Sequence, residues 1–434
     1  MLSLLYKERK TMKVKCKHIV FVSAILLSLI LFHLSVGYAQ ENNVVLTLDK
    51  CILAAQNKGE VLMISREIQA QVAEQVKQAR GGFLPAVKFK YQKTYRDTAG
   101  GEYTTNLDDS KIALSQPLFS GFGKKANYDL SKNELQKQKF NYDSVERILS
   151  SEVTLAFYSL AQVDADIANI KNTEQLMQER LNELNERVRL GKSRDSEVLM
   201  VESQLATFIA EEEKSQGERA KAAETLAYLT GFDSENLVVT DNTPDTAGTE
   251  LLEKYLESAK NRPVIEVEKK NVISQRFRII AARSMLLPSL NLEGAWYTQR
   301  SASLTDSKWD TLFTLDMPLF QGGSAIGKVN EELSRLREYE AKLSRVVRES
   351  ETEIRKLYRS AIFSIKQAAA YTVAYNKASE SYQMQLKDYR YGLVNNMDVI
   401  QSMITMLDAK RNFDRMLIQA KLDKAILEIA SGIK

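Results

Sequence analysis

The sequence predicts a mostly helical protein with transmembrane β-strands, built on a duplicated repeat. Three observations carry that expectation. First, landmarks recur at nearly constant offset. PLFSG at Pro117 returns as PLFQG at Pro318, and RLGKSRDSEVL with Gly191 returns as RYGLVNNMDVI with Gly392, each 201 residues later. FLP at Phe83–Pro85 returns as LLP at Leu286–Pro288, and Asn57-Lys58 as Asn261-Arg262. Repeats of this kind set an architecture before any local detail does. Second, 122–190 contains no proline and only Gly123 as glycine, and is rich in helix-forming residues. Third, four short segments switch to a two-residue hydrophobic period.

The first 39 residues read as a targeting signal. Basic residues after Met12 precede an apolar run from Ile19 to Val36, and Gly37-Tyr38-Ala39 offers small residues for cleavage before Gln40. No cysteine follows the run closely enough for a lipid anchor. This segment holds six Lys and Arg against Glu8, so the net charge of +4 becomes −1 without it. The basic balance belongs to the leader and gives no argument for nucleic acid. Both histidines, His18 and His33, also lie there. A mature chain with no His and one Cys lacks a His-based triad, a His-containing metal site and an internal disulfide. No catalytic, cofactor or metal residues are expected. Negative mean hydropathy excludes a multi-helix membrane protein.

The first repeat is expected over 40–240. Residues 40–46 are a lead-in, and a helix runs over 49–80, with Thr47 or Asp49 as its N-cap, until Gly81-Gly82. A hairpin over 86–117 follows. Val87, Phe89 and Tyr91 alternate with Lys88, Lys90 and Gln92, and after the polar loop 97–109 Ile112 and Leu114 alternate with Lys111, Ala113 and Ser115 up to Pro117. A long helix is expected over 122–190 and a shorter one over 195–230. The polar segment 231–249 links to the second repeat, 241–434. This gives a helix over 250–283, a hairpin over 289–318, a long helix over 323–391 and a helix over 396–430. Its hairpin again alternates, with Leu290, Leu292 and Trp296, then Trp309, Thr311, Phe313, Leu315 and Met317 on the apolar face. In each half the two shorter helices together match the long one in length, the arithmetic of one long helix flanked by two stacked end to end. The strands fit lipid outside and water inside. Four strands cannot close a barrel, and open edges cannot sit in lipid, so the strands are shared between chains. Three chains supply twelve.

These landmarks resemble the TolC-type outer-membrane efflux proteins over essentially the whole mature length. The resemblance rests on the duplicated pattern FLP…PLF…Gly, with Asp or Glu six residues after the glycine and Val or Ile next, on the two hairpins and on the signal. It implies a homotrimer: a twelve-stranded barrel in outer-membrane lipid, continuous with a long α-helical barrel crossing the periplasm. The helix tips, Arg187–Val198 and Tyr389–Val399, would dock a periplasmic membrane-fusion adaptor, and through it an inner-membrane pump. Docking residues would be Arg189, Leu190, Gly191, Arg390, Tyr391 and Gly392. The family's gate tyrosine matches Tyr389, its first constriction acid Asp398, and its acid partner in the first repeat Glu197. A second acid is Gln401 here and the gate arginine is Val394, so the tyrosine–acid contact can survive and the arginine–acid bridge cannot, a departure from the family's lock. Capping is the plainer role for Asn395 with Asp398, or for Ser193 with Ser196 and Glu197. The expected function is passive export of small molecules. Two alternatives are the outer channel of a type I protein secretion system, which uses the same duct, and a periplasmic structural coiled coil, which the alternating strands oppose.

Overall fold

A computed structural model describes residues 44–95, 107–235, 237–243, 249–300 and 307–433. The expected leader 1–39, most of the loop 97–109, and residues 244–248 and 301–306 lie outside them.

The chain begins with β1 (Val44–Leu46) and two helices, α1 (Leu48–Lys58) and α2 (Glu60–Gly81). The single helix expected over 49–80 is therefore two, broken at Gly59. A Cβ there would sit 2.5 Å from the Ala55 carbonyl oxygen. Thr47 is the N-cap of α1 but makes no side-chain cap bond. The first hairpin is β2 (Ala86–Thr94) and β3 (Leu107–Ser120), followed by the long helix α3 (Gly123–Arg189) and the shorter α4 (Asp195–Thr230). A short β4 (Leu237–Val239) pairs with β1 in a two-stranded sheet. These three-residue strands fall where a plain lead-in and linker were expected.

The second repeat opens with α5 (Leu252–Ala259) and α6 (Pro263–Arg283). The helix expected over 250–283 is interrupted because Pro263 has no N–H to donate and occupies the first turn of a new helix. Then come β5 (Ser289–Gln299), β6 (Trp309–Asp316), α7 (Ser324–Arg390) and α8 (Asn396–Ser431). The two long helices have 67 residues each, about 100 Å at 1.5 Å per residue. Among the described residues no helix is long and apolar enough to cross a membrane.

Helix α3 packs along α1, α2, α4, α6 and α8, and α7 packs along α5, α6 and α8. The shorter helices meet end to end. At one junction Lys58 lies 5.5 Å from the Phe232 ring, and at the other Ser258 donates to the Ser431 carbonyl at 2.8 Å. A partly buried ionic cluster joins the repeats: Asp166 of α3 accepts from Arg415 of α8 through both oxygens, each at 2.8 Å, and from Arg411 at 3.3 Å. The bonds that Arg415 donates to Asp166 raise the Arg415 pKa. Glu332 is buried between α6 and α7. Burial alone would raise its pKa, but bonds from Lys328 and Gln275 outweigh that and hold it low.

The four-stranded antiparallel sheet runs β2-β3-β5-β6. Its register puts the apolar residues of all four strands on one face. Phe89 lies opposite Ile112, Ile112 opposite Trp296, and Trp296 opposite Trp309. Among the described residues nothing covers that face: Phe89 is 69% exposed and Trp309 68%. The other face carries Lys88, Lys90, Lys111, Glu293, Tyr297 and Asp310. Such a two-sided sheet suits lipid outside and water inside. The expected stop at Pro117 does not occur, since β3 continues to Ser120. Register slips between Pro117 and Phe119, a bulge that tolerates the missing proline N–H and moves Phe119 opposite Leu290 on the apolar face.

Candidate functional site

The residues singled out for docking and gating lie where α3 turns into α4 and α7 into α8. Both turns close the same way. At the first, Gly191 N–H donates to the Val188 carbonyl and Lys192 N–H to that of Arg187, both at 2.8 Å. At the second, Gly392 donates to Tyr389 and Leu393 to Asp388, both at 3.0 Å. This six-to-one, five-to-two pattern is a Schellman closure, which needs a left-handed residue at the glycine. Gly191 has φ +67° and Gly392 φ +74°. The flanking Arg189, Leu190, Arg390 and Tyr391 are exposed, with Arg189 paired to Glu186 at 2.8 Å.

Side chains distinguish the tips. Helix α8 starts with a capping box: Asn395 Oδ1 accepts from Asp398 N–H and Asp398 Oδ2 from Asn395 N–H, both at 3.1 Å. The N-cap of α4 is Arg194, which makes no side-chain cap bond. There the Ser193 hydroxyl donates to the Glu197 carboxylate at 3.0 Å. Capping thus holds for Asp398 and not for Glu197. Gln401 is exposed, and its carbonyl accepts from Thr405 at 2.8 Å.

Tyr389 is buried in the apolar cluster at this end, among Leu184, Met403 and Val399. Its ring lies 4.2 Å from the Arg180 guanidinium and 4.2 Å from that of Arg187, both on α3. Arg180 is 4% exposed and donates through Nε to Asn396 Oδ1 at 2.8 Å, with a second bond from Nη2 to the same oxygen. Glu183 accepts from Arg180 at 2.6 Å and from Arg187 at 3.3 Å. Nearby, burial pushes the Tyr382 hydroxyl pKa up, partly opposed by Arg180. Among the described residues no hydrogen bond joins Tyr389 to Glu197. The tyrosine expected to meet the first-repeat acid meets first-repeat arginines instead. Sequence reading passed over Arg180 and Glu183, and gave Arg187 and Asn396 no role beyond lying in the tips. One signal was available: Arg180 falls within the apolar spacing Met177, Leu181, Leu184, and a charge there needs a buried partner.

Residues 54–232 and 255–430 each match the family model described as outer membrane efflux protein. The chain belongs to that family. It is 22% identical over 358 residues to the outer membrane protein TolC of Salmonella enteritidis, covering 78% of this chain and 72% of that protein. The structure of the CusC channel superposes with a TM-score of 0.80 at 15% identity, over 89% of this chain and 92% of the other. The CmeC outer membrane channel of Campylobacter jejuni gives 0.76 at 17% identity, over 89% and 85%. At such identities the likeness to solved structures establishes the fold: duplicated, mostly helical and with transmembrane β-strands. Family membership makes the protein an outer-membrane efflux channel that extends into the periplasm, and its relatives are channels rather than enzymes.

Proposed function

We propose that three copies form the exit duct of a tripartite efflux system, passing small molecules outward from an inner-membrane pump through a periplasmic adaptor. The observation that carries this reading is a four-stranded sheet with two free edges and an uncovered aromatic face, joined directly to helices of 67 residues. Three such sheets remove every edge. Exposed Leu190 and Tyr391 beside the two Schellman turns supply matched apolar contacts for an adaptor, with Arg189 and Arg390 as a basic rim. Tyr389, held between Arg180 and Arg187, acts as the latch that keeps the second tip against the first repeat. One Asp398 oxygen caps α8, and the other contributes to an acidic ring at the entrance, with Gln401 where a second acid would strengthen it.

The test is detergent-extracted protein examined by native mass spectrometry and then in planar bilayers. A trimer with low, cation-preferring conductance is expected, rising when the latch is broken. A conducting monomer overturns the shared barrel.

A further inference from the structure

The sheet's two free edges carry opposite charges on the polar face. On β2 these are Lys88 and Lys90, with Lys90 directly opposite Lys111 of β3, an unfavourable like-charge pair. On β6 they are Asp310 and Asp316. Among the described residues neither Lys88, Lys90 nor Asp316 has an ion pair. Asp310 already accepts from Arg300 at 3.1 Å and Tyr297 at 3.2 Å. One chain thus leaves positive charge on one edge and negative charge on the other.

Strand direction and pleat restrict how the edges can meet. The strands alternate in direction across the sheet, so β6 of one copy runs antiparallel to β2 of the next. Keeping apolar residues on one face requires even-numbered residues to oppose even-numbered ones, because a one-residue slip inverts both faces. We propose that β2 of one copy pairs with β6 of a second in the register that sets Lys88 opposite the partner's Thr314 and Lys90 opposite the partner's Leu312. Lys88 is then diagonal to the partner's Asp316 and Lys90 to the partner's Asp310, within reach of long side chains. On the apolar face the same register sets Val87 opposite the partner's Leu315 and Phe89 opposite the partner's Phe313. A shift of two residues either way leaves both lysines on one aspartate. The seam rests on the trimeric duct reading and adds what fixes its register.

The test is a disulfide between Lys88→Cys and Thr314→Cys in one chain. Within a chain Lys88 lies in register with Asp310 across three strand spacings, so Thr314, four residues further along β6, is more than roughly 14 Å away. That exceeds the Cα separation of about 7 Å that a disulfide can span, so any bond joins two copies. The native Cys51 is buried, with its thiol pushed up to about 11, and does not compete. Oxidation should give a covalent trimer on a denaturing gel that reductant dissolves. Preferential bonding of Lys88→Cys with Leu312→Cys or Asp316→Cys would overturn the register. A wild-type trimer in native mass spectrometry, with no bond in any of the three variants, would overturn the seam and leave the duct reading standing. A wild-type monomer would overturn both. In a charge test, Lys88→Glu should weaken the trimer by a factor of roughly two to five per seam, and Asp316→Lys should restore it. Equal losses in the single and double variants would remove charge from the argument.

Discussion

At the first tip Gly191 closes α3 with φ +67°, and at the second Gly392 closes α7 with φ +74°, through the same pair of backbone bonds. The next few residues part company. The second tip has a capping box on α8, and its last turn carries a tyrosine held between two guanidinium groups. The first tip has neither; it has Arg194 at the N-cap and a Ser193–Glu197 bond. Duplication kept the backbone solution twice, while the fastenings became asymmetric. The first repeat supplies the grip, from Arg180 and Arg187, and the second repeat is what is gripped. If the arginine grip is what holds the tips together, loosening it should move the second tip more than the first.

The largest effect should come from Arg180→Ala. It removes one face of the tyrosine sandwich and leaves the buried Asn396 oxygen unpaired, for a loss of about 2–4 kcal/mol. Amide hydrogen exchange should accelerate over 385–400 and much less over 187–198, and closed-state leak in bilayers should rise. Equal acceleration at both tips would abolish the asymmetry.

Next in size are the glycines. Nothing lies within 4 Å of a Cβ added at either Gly191 or Gly392, so Gly191→Val and Gly392→Val meet backbone strain without a clash. Each should cost about 1–3 kcal/mol locally. The two should impair adaptor binding alike, measured by pull-down with a periplasmic adaptor, while native mass spectrometry still shows trimers. Loss of the trimer in either variant would make that glycine a folding residue.

The ends of the long helices were legible because Pro117 and Gly191 punctuate them, and their repeats at Pro318 and Gly392 do so again. The sheet faces were legible because period two is unambiguous over Val87–Tyr91 and Trp309–Met317. The breaks in the shorter helices were harder. A glycine such as Gly59 is often tolerated inside a helix; here its N–H still bonds the Ala55 carbonyl at 2.8 Å, and the break lies in its ψ of 119°, which no sequence pattern shows. Pro263 is plain in the sequence, but a proline fits the first turn of a helix as well as a break, and the one residue does not say that a new helix begins there. The strands β1 and β4 are too short to show a period. At the site, the turns were legible and the latch was not. Arg180 and Asn396 are 216 residues apart, and no spacing rule connects the repeats across α3 and α8.

A smaller effect belongs to the cap. Asp398→Asn should cost about 1 kcal/mol or less, because the amide oxygen still accepts from Asn395 N–H. If Asp398 also belongs to an entrance ring, the same variant lowers cation selectivity and divalent block, and Gln401→Asp raises them. Unchanged selectivity with slightly faster exchange at the start of α8 would reduce Asp398 to a cap. Glu197→Gln, which has no cap to lose, should leave stability unchanged.

The smallest effect should be that of Tyr389→Phe, which is why it separates two latches. Both guanidinium groups act on the faces of the ring, 4.2 Å from its centre, and phenylalanine keeps those faces. The hydroxyl makes no hydrogen bond among the described residues, so its removal should change tip exchange and leak by little. Tyr389→Leu removes the ring and should cost roughly 1–3 kcal/mol for two partly desolvated cation–π contacts. It should leak nearly as much as Arg180→Ala. Joining it to Arg180→Ala should add little, because both break the same contact and such pairs are not additive. A Tyr389→Phe channel that leaks like Tyr389→Leu would place the latch at the hydroxyl, as a tyrosine–Glu197 bond requires. The arginine grip would then only order the helix end.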